Sequence, residues 1–144
     1  MTPPELPPLL RDQRKIDAQH LKLLTVFHYV LAGLSLVGLG FLCLHWAFMH
    51  VVMSMPQKSG NPPPQQVFMI FRLFYAFFGV FIVGGGALTL ASGICIARRK
   101  ARVFSLVVAG INCLMFPFGT TLGVFTIIVL IRDSVVELYE GNRN

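Results

Sequence analysis

Acidic residues are missing from most of this chain: between Asp17 and Asp133 there is neither an aspartate nor a glutamate. Carboxylates are the usual intramembrane proton carriers, cation ligands and general bases. Their absence removes most of the chemistry that a buried site would use. Charge of either sign is scarce, at 12% of residues, where a soluble domain carries about 25%. Cysteine is scarce too. Cys43, Cys95 and Cys113 stand at unrelated spacings inside apolar runs. They form no CxxC pair, and an odd number closes no disulfide framework, so they read as reduced thiols packing like small hydrophobes.

What fills the gap is apolar. Of the 144 residues 55% are hydrophobic, and mean hydropathy is +0.70, which points to lipid as solvent and to one compact membrane domain. The net charge of +6 raises nucleic acid as a partner. The Lys and Arg, however, sit at the ends of apolar segments, the pattern of a membrane protein; no nucleic-acid partner is expected.

Residues 1–8, MTPPELPP, read as an extended, solvated tail. Residues 9–22 read as an amphipathic helix that lies on the membrane surface or runs straight into the next helix. Residues 1–22 are thus taken as a cytoplasmic N-terminal tail. They do not read as a signal peptide, because the following apolar run is too long and no small-residue cleavage site closes it. That run, about 23–53, exceeds the roughly 20 residues a bilayer needs, so it tilts or projects beyond the lipid at its His45–His50 end. Pro56, Gly60 and Pro62–Pro64 make 54–66 a loop.

The second run, 67–97, opens with Phe68, Phe71, Phe74, Tyr75, Phe77, Phe78 and Phe81, which with Trp46 suit an interfacial belt. The basic cluster Arg98, Arg99, Lys100 and Arg102 follows. As one helix, 103–131 would run about 43 Å, but Pro117 and Gly119 interrupt it. Two short helices are predicted, about 99–116 and 119–140, the second with its apolar part ending near 131. Each half has about 14 apolar residues, roughly 21 Å against a hydrocarbon core of ~30 Å. The tip of this hairpin therefore stops short of the far surface or is buried among the first two helices. The expected fold is an all-α integral membrane protein: a four-helix bundle of two long transmembrane helices and a short Pro-Gly hairpin. Its membrane domain covers 23–131, and 132–144 form a C-terminal tail.

Basic residues set the orientation. Arg11, Arg14, Lys15 and Lys22 precede the first run and four basic residues follow the second, whereas the 54–66 loop holds only Lys58. Both termini and the 98–102 loop are expected in the cytoplasm. The tail's own charge, Arg132 and Arg143 against Asp133, Glu137 and Glu140, adds little.

His20-Leu21-Lys22-Leu23-Leu24 followed by Phe27-His28-Tyr29, and the basic turn leading into Phe116-Pro117-Phe118-Gly119-Thr120-Thr121-Leu122-Gly123-Val124-Phe125, resemble a family of small polytopic bacterial membrane proteins. The likeness lies in an HLxLLxxFHY-like segment and an FPxGTxLG-like hairpin. It covers short stretches at both ends of the membrane domain, and Val124-Phe125 stand where Ile-Tyr is expected. The resemblance implies a multi-pass protein of the bacterial inner membrane and brings no established activity.

Candidate functional residues are few. His28, His45 and His50 all fall on the first helix, and His28 and His45 are about 260° apart around it. Haem ligation within one protomer needs ligands from separate helices, so neither cofactor nor metal is expected; His45 and His50 are read with Trp46 as interface anchors. Arg72 is read chiefly as a snorkelling anchor, with anion attraction at a pore mouth or pairing to a partner subunit as alternatives. Gly85, Thr89, Gly93 and Ala97 recur every four residues, and Gly119 with Gly123 makes a GxxxG. Such small residues let helices approach closely in lipid, within the chain or between chains. Asn112, Thr120 and Thr121 form a polar cluster that caps a helix or lines a pore. No nucleophile has a base beside it, and no Gly-rich phosphate loop is present, so an enzyme is not expected. The sequence points to an accessory or scaffolding subunit or small homo-oligomer, with the bilayer and a membrane partner as its contacts. The alternative is a pore or transport component for anions or neutral solutes.

Overall fold

The computed structural model describes residues 8–55 and 65–140. Among these residues there are five helices and no strand: α1 (Pro8–Ser54), α2 (Gln65–Ala97), α3 (Arg102–Asn112), α4 (Phe118–Ile131) and α5 (Asp133–Glu140). The all-helical class stands. Two stretches, Lys15–Ser54 of α1 and the whole of α2, are long and apolar enough to cross a membrane.

The helices differ in extent from the sequence reading. Of the two expectations for the amphipathic segment it is the second that is seen: it runs straight into the next helix, and α1 is unbroken for 47 residues, about 70 Å. Pro8 occupies its first position, where a missing N–H costs nothing, and the next proline is Pro56. The expected helix over 99–116 contracts to Arg102–Asn112. Arg99 and Ala101 both take left-handed backbone, φ 50°, so the basic cluster is a turn. At the other end Cys113–Pro117 turn, with a cis Phe116–Pro117 bond. The second hairpin helix divides at Arg132, whose extended ψ of 134° separates α4 from α5. Most of the Pro-rich loop, with Lys58, and both chain ends, with Arg143, lie outside the described residues.

The chain forms two compact units. The first comprises the chain up to Leu31 and from Leu88 onward. In it α1 buries Asp17, Leu21, Leu24, Thr25 and His28, spaced three and four apart as one helical face requires. Leu21 and Leu24 pack in a core with Ile96 of α2, Leu122, Val129 and Leu130 of α4, and Val135 and Tyr139 of α5. Close approach is set by glycine. A Cβ on Gly93 would lie 2.9 Å from the Cβ of His28; one on Gly119 would lie 2.6 Å from both the Asn112 carbonyl and the Met115 Cβ. One on Gly123 would meet the Ala109 carbonyl and sit 2.6 Å from the Cys113 sulfur. Thus α4 rests on the backbone of α3.

The second unit, Ala32–Ala87, pairs the remaining parts of α1 and α2 in antiparallel fashion. Ser35 faces Gly86, whose added Cβ would be 2.9 Å from the serine Cβ, and Leu42 faces Gly79. On the other faces large apolar side chains stand exposed, among them Leu36, Val37, Phe41, Leu73, Phe77 and Val80.

The four-residue stripe is therefore not uniform. Thr89 and Gly93 are buried, Gly85 is half-buried and Ala97 is exposed; Gly86, adjacent to the stripe, takes the close contact with Ser35. Gly93→Leu is expected to destabilise the first unit by more than the ~1–3 kcal/mol typical of overpacking, because its neighbour is the rigid start of a side chain. Ala97→Leu should be neutral. Thermal unfolding of both variants in one detergent checks the contrast.

Candidate functional site

The first unit holds an unusual number of polar groups in its interior: Asp17, Thr25, His28, Thr89, Ser92, Ser105, Asn112 and Thr126 are all buried. Two hydroxyls are satisfied inside their own helices. Thr25 Oγ1 donates to the Leu21 carbonyl at 2.9 Å and Thr126 Oγ1 to the Leu122 carbonyl at 2.7 Å, the back-bonding that lets threonine sit in apolar surroundings. Between helices, Thr89 Oγ1 donates to Asn112 Oδ1 at 3.1 Å. The Asn112 amide nitrogen and the hydroxyls of Ser92 and Ser105 are buried without a partner.

Asp17 is the group that the sequence reading overlooked. It lies in the 9–22 stretch read as an amphipathic helix, and its side chain is 0% exposed. Arg132 donates from Nη1 to one carboxylate oxygen at 3.3 Å, and Ser134 Oγ donates to the other at 2.5 Å. Arg132 stands between α4 and α5, and Ser134 lies in the first turn of α5. A second tie lies at the same end of α4, where Arg102 Nε donates to the Leu130 carbonyl at 2.8 Å. That carbonyl belongs to the last turn of α4, where acceptors lack intrahelical partners. The signal that could have found Asp17 is its spacing, four residues before Leu21 and seven before Leu24 on the face α1 buries.

His28 lies wholly inside this unit. Its Nδ1 is 2.9 Å from the Leu24 carbonyl; a carbonyl only accepts, so Nδ1 carries the proton and Nε2 presents a lone pair. That lone pair has no partner. The arrangement is that of a metal-ligating histidine, but no group of three or more His, Cys, Asp or Glu able to hold a metal occurs among the described residues.

The three residues of the expected polar cluster occupy different surroundings. Asn112 is buried, Thr120 is half-buried with its hydroxyl on the Cys113 carbonyl at 2.8 Å, and Thr121 is exposed with its hydroxyl on the Pro117 carbonyl at 3.0 Å. Both hydroxyls close carbonyls of the turn. Backbone bonds complete it: Cys113, Leu114 and Met115 donate to Ala109, Ile111 and Asn112, and Thr120 donates to Met115. Around this turn Leu114, Phe116 and Phe118 are exposed.

In the second unit the proposed anchors do gather. Tyr75 is hydrogen-bonded to His45 Nδ1 and meets Trp46 edge-on with ring centroids 4.9 Å apart. Trp46, Arg72 and Tyr75 line a cavity of about 420 Å³. His50 lies beside Trp46 at 6.3 Å.

The basic loop borders a larger cavity in the first unit, about 650 Å³, lined by Arg99, Lys100, Ala101, Arg102, Tyr139 and Glu140 among others. The Tyr139 hydroxyl is buried without a partner. Burial pushes it up to about 12, the Cys95 thiol adds to the rise, and Arg102 and Arg99 oppose it. It stays protonated at neutral pH and is a hydrogen-bond donor.

Asp17→Asn is expected to cost about 1–3 kcal/mol of stability, below the value for a fully buried pair because Arg132 is partly exposed. A double-mutant cycle with Arg132→Gln in chemical unfolding should return a coupling of about 1 kcal/mol or more. Additive effects would mean that the two side chains do not support one another.

The chain matches no protein-family model, no curated protein and no solved structure.

Proposed function

We propose that the chain is a multi-pass protein of a bacterial inner membrane that acts through helix packing, as a scaffolding or accessory subunit or a small homo-oligomer, and not as an enzyme. The observation that carries this is the bareness of its long helices. The most apolar window of α1 is 6% buried by the rest of the chain and that of α2 is 0% buried, whereas the core helix of a soluble protein would be covered. Lipid and neighbouring helices are the natural cover.

The α3–α4 hairpin fits the same reading as a segment that enters the bilayer and returns. Its helices have 11 and 14 residues, about 17 and 21 Å, too short for the ~30 Å core. Its tip presents Leu114, Phe116 and Phe118 outward while turn carbonyls are bonded internally, as backbone at membrane depth requires. Basic residues flanking the apolar runs support cytoplasmic termini. For the interaction role, Gly33 and Gly40 on α1 have nothing within 4 Å where a side chain would project. Being seven residues apart, they share a face and form a notch into which a second helix can pack. The separate surroundings of Asn112, Thr120 and Thr121 give the pore reading no support.

Reporter fusions at the C-terminus should report a cytoplasmic tail, and cysteine placed at Phe116 should resist membrane-impermeant maleimide from either side. Mild-detergent extraction should yield an oligomer or complex that Gly33→Leu with Gly40→Leu dissociates without lowering helix content. A lone monomer with no partner would remove the interaction role, and an extracytoplasmic tail would replace the hairpin by a full crossing.

A further inference from the structure

Histidine alone makes no metal site on α1, but thioether sulfur stands beside it in the last turns of that helix. Trp46, Met49, His50 and Met53 share one helical face, at three- and four-residue steps. All four line a single small cavity of about 50 Å³, closed by Phe71 and Arg72 of α2 within the second unit. The two methionines are half-buried and His50 is exposed, so the sulfurs border a space that solutes can reach. His45 is committed to Tyr75. His50 is not: its backbone carbonyl accepts from Ser54 Oγ at 2.6 Å, while its ring nitrogens have no hydrogen-bond partner among the described residues.

Size and donor chemistry together name the ligand. One water needs roughly 10–15 Å³, so this space admits an ion and excludes an organic cofactor or an acyl chain. Hard cations require oxygen ligands, chiefly carboxylates, and residues 32–87 contain neither Asp nor Glu. Two thioethers and an imidazole are the donors present, and copper is the ion that both types suit. Cu(II) prefers a square of nitrogen and oxygen ligands, which one imidazole does not supply. Cu(I) accepts the soft pair. Arg72 raises the cost of every positive charge placed beside it, which favours a monovalent ion over a divalent one, and the Trp46 ring is a surface that attracts a cation. We infer that Met49, Met53 and His50 bind one Cu(I) ion beside Trp46. The site lies within the second unit and does not depend on the membrane reading above.

Trp46 is the only tryptophan of the chain, so its fluorescence reports the site directly. The full chain carries Cys43→Ala, because that thiol lines the neighbouring cavity with Trp46, and it is titrated in neutral detergent with Ag(I), which shares the charge and soft-donor preference of Cu(I) without its oxidation in air. The emission should fall and level off within three equivalents, one for the site and one for each of the two thiols of the first unit, Cys95 and Cys113. Cu(I), supplied anaerobically as its acetonitrile complex, should reproduce the fall, and Zn(II) should not. Met49→Leu with Met53→Leu keeps volume and helix propensity. It should shift the midpoint at least about tenfold, the least that even an outer-shell partner of a metal site contributes. Met69→Leu, on an exposed face of α2, should leave the midpoint in place. Emission indifferent to Ag(I), a fall that Zn(II) reproduces, or an unchanged midpoint in the double methionine variant overturns the site. Should that variant lose helix content, His50→Gln at its exposed position decides: a weakened midpoint supports the site and an unchanged one overturns it.

Discussion

The first unit is organised around one carboxylate. Asp17 has no contact with solvent, and a charge in that position costs several kcal/mol unless it is paired and hydrogen-bonded. Its partners, Arg132 and Ser134, come from 115 and 117 residues further along the chain. The start of α1 and the junction of α4 with α5 cannot part without stranding that charge. The pairing also accounts for the extended backbone at Arg132: a continuous helix would leave no bend at the point where guanidinium and serine hydroxyl converge. Around the pair the apolar core closes, with Leu21 and Leu24 on one side and Leu130, Val135 and Tyr139 on the other.

Away from that pair, contact is governed by the absence of side chains. Small residues let helix backbones come within range of dispersion contact, which in the proposed lipid setting would have to stand in for hydrophobic attraction. Gly93 against His28, and Gly119 and Gly123 against the α3 backbone, leave no room for a side chain in the first unit; Gly86 against Ser35 does the same in the second. Among the buried hydroxyls, Thr25 and Thr126 bond back to carbonyls of their own helices, while Thr89 reaches across to Asn112.

Much of the architecture was legible in the sequence, because long apolar runs and a Pro-Gly interruption are robust signals. The two long helices and the interruption at Pro117 follow directly from them. Helix ends were harder. Arg99 and Ala101 adopt left-handed backbone that neither residue type advertises, and the split at Arg132 answers a tertiary demand from Asp17. The small-residue spacing correctly drew attention to Gly93, but period alone cannot say which side of a helix is covered, and Ala97 proved exposed. The buried acid was the main omission. Counting carboxylates only inside the apolar runs hid one that lies just before them, on a face that the Leu21 and Leu24 spacing already marked. The basic loop reads in the sequence as a topological signal only; that its residues border an open space lined also by Val136 and Tyr139 of α5 depends on a tertiary arrangement that no local pattern encodes.

The brevity of α3 and α4 bears on how the chain is made. Neither helix alone buries enough length to settle across a bilayer, and the turn between them closes its carbonyls only when Thr120 and Thr121, on the far side, have emerged. If the chain is inserted in a bilayer as proposed, α3 has no stable resting place there until the first turn of α4 has been made, so the two helices would enter as one piece and the timing of translation across Cys113–Thr121 would become part of the folding problem.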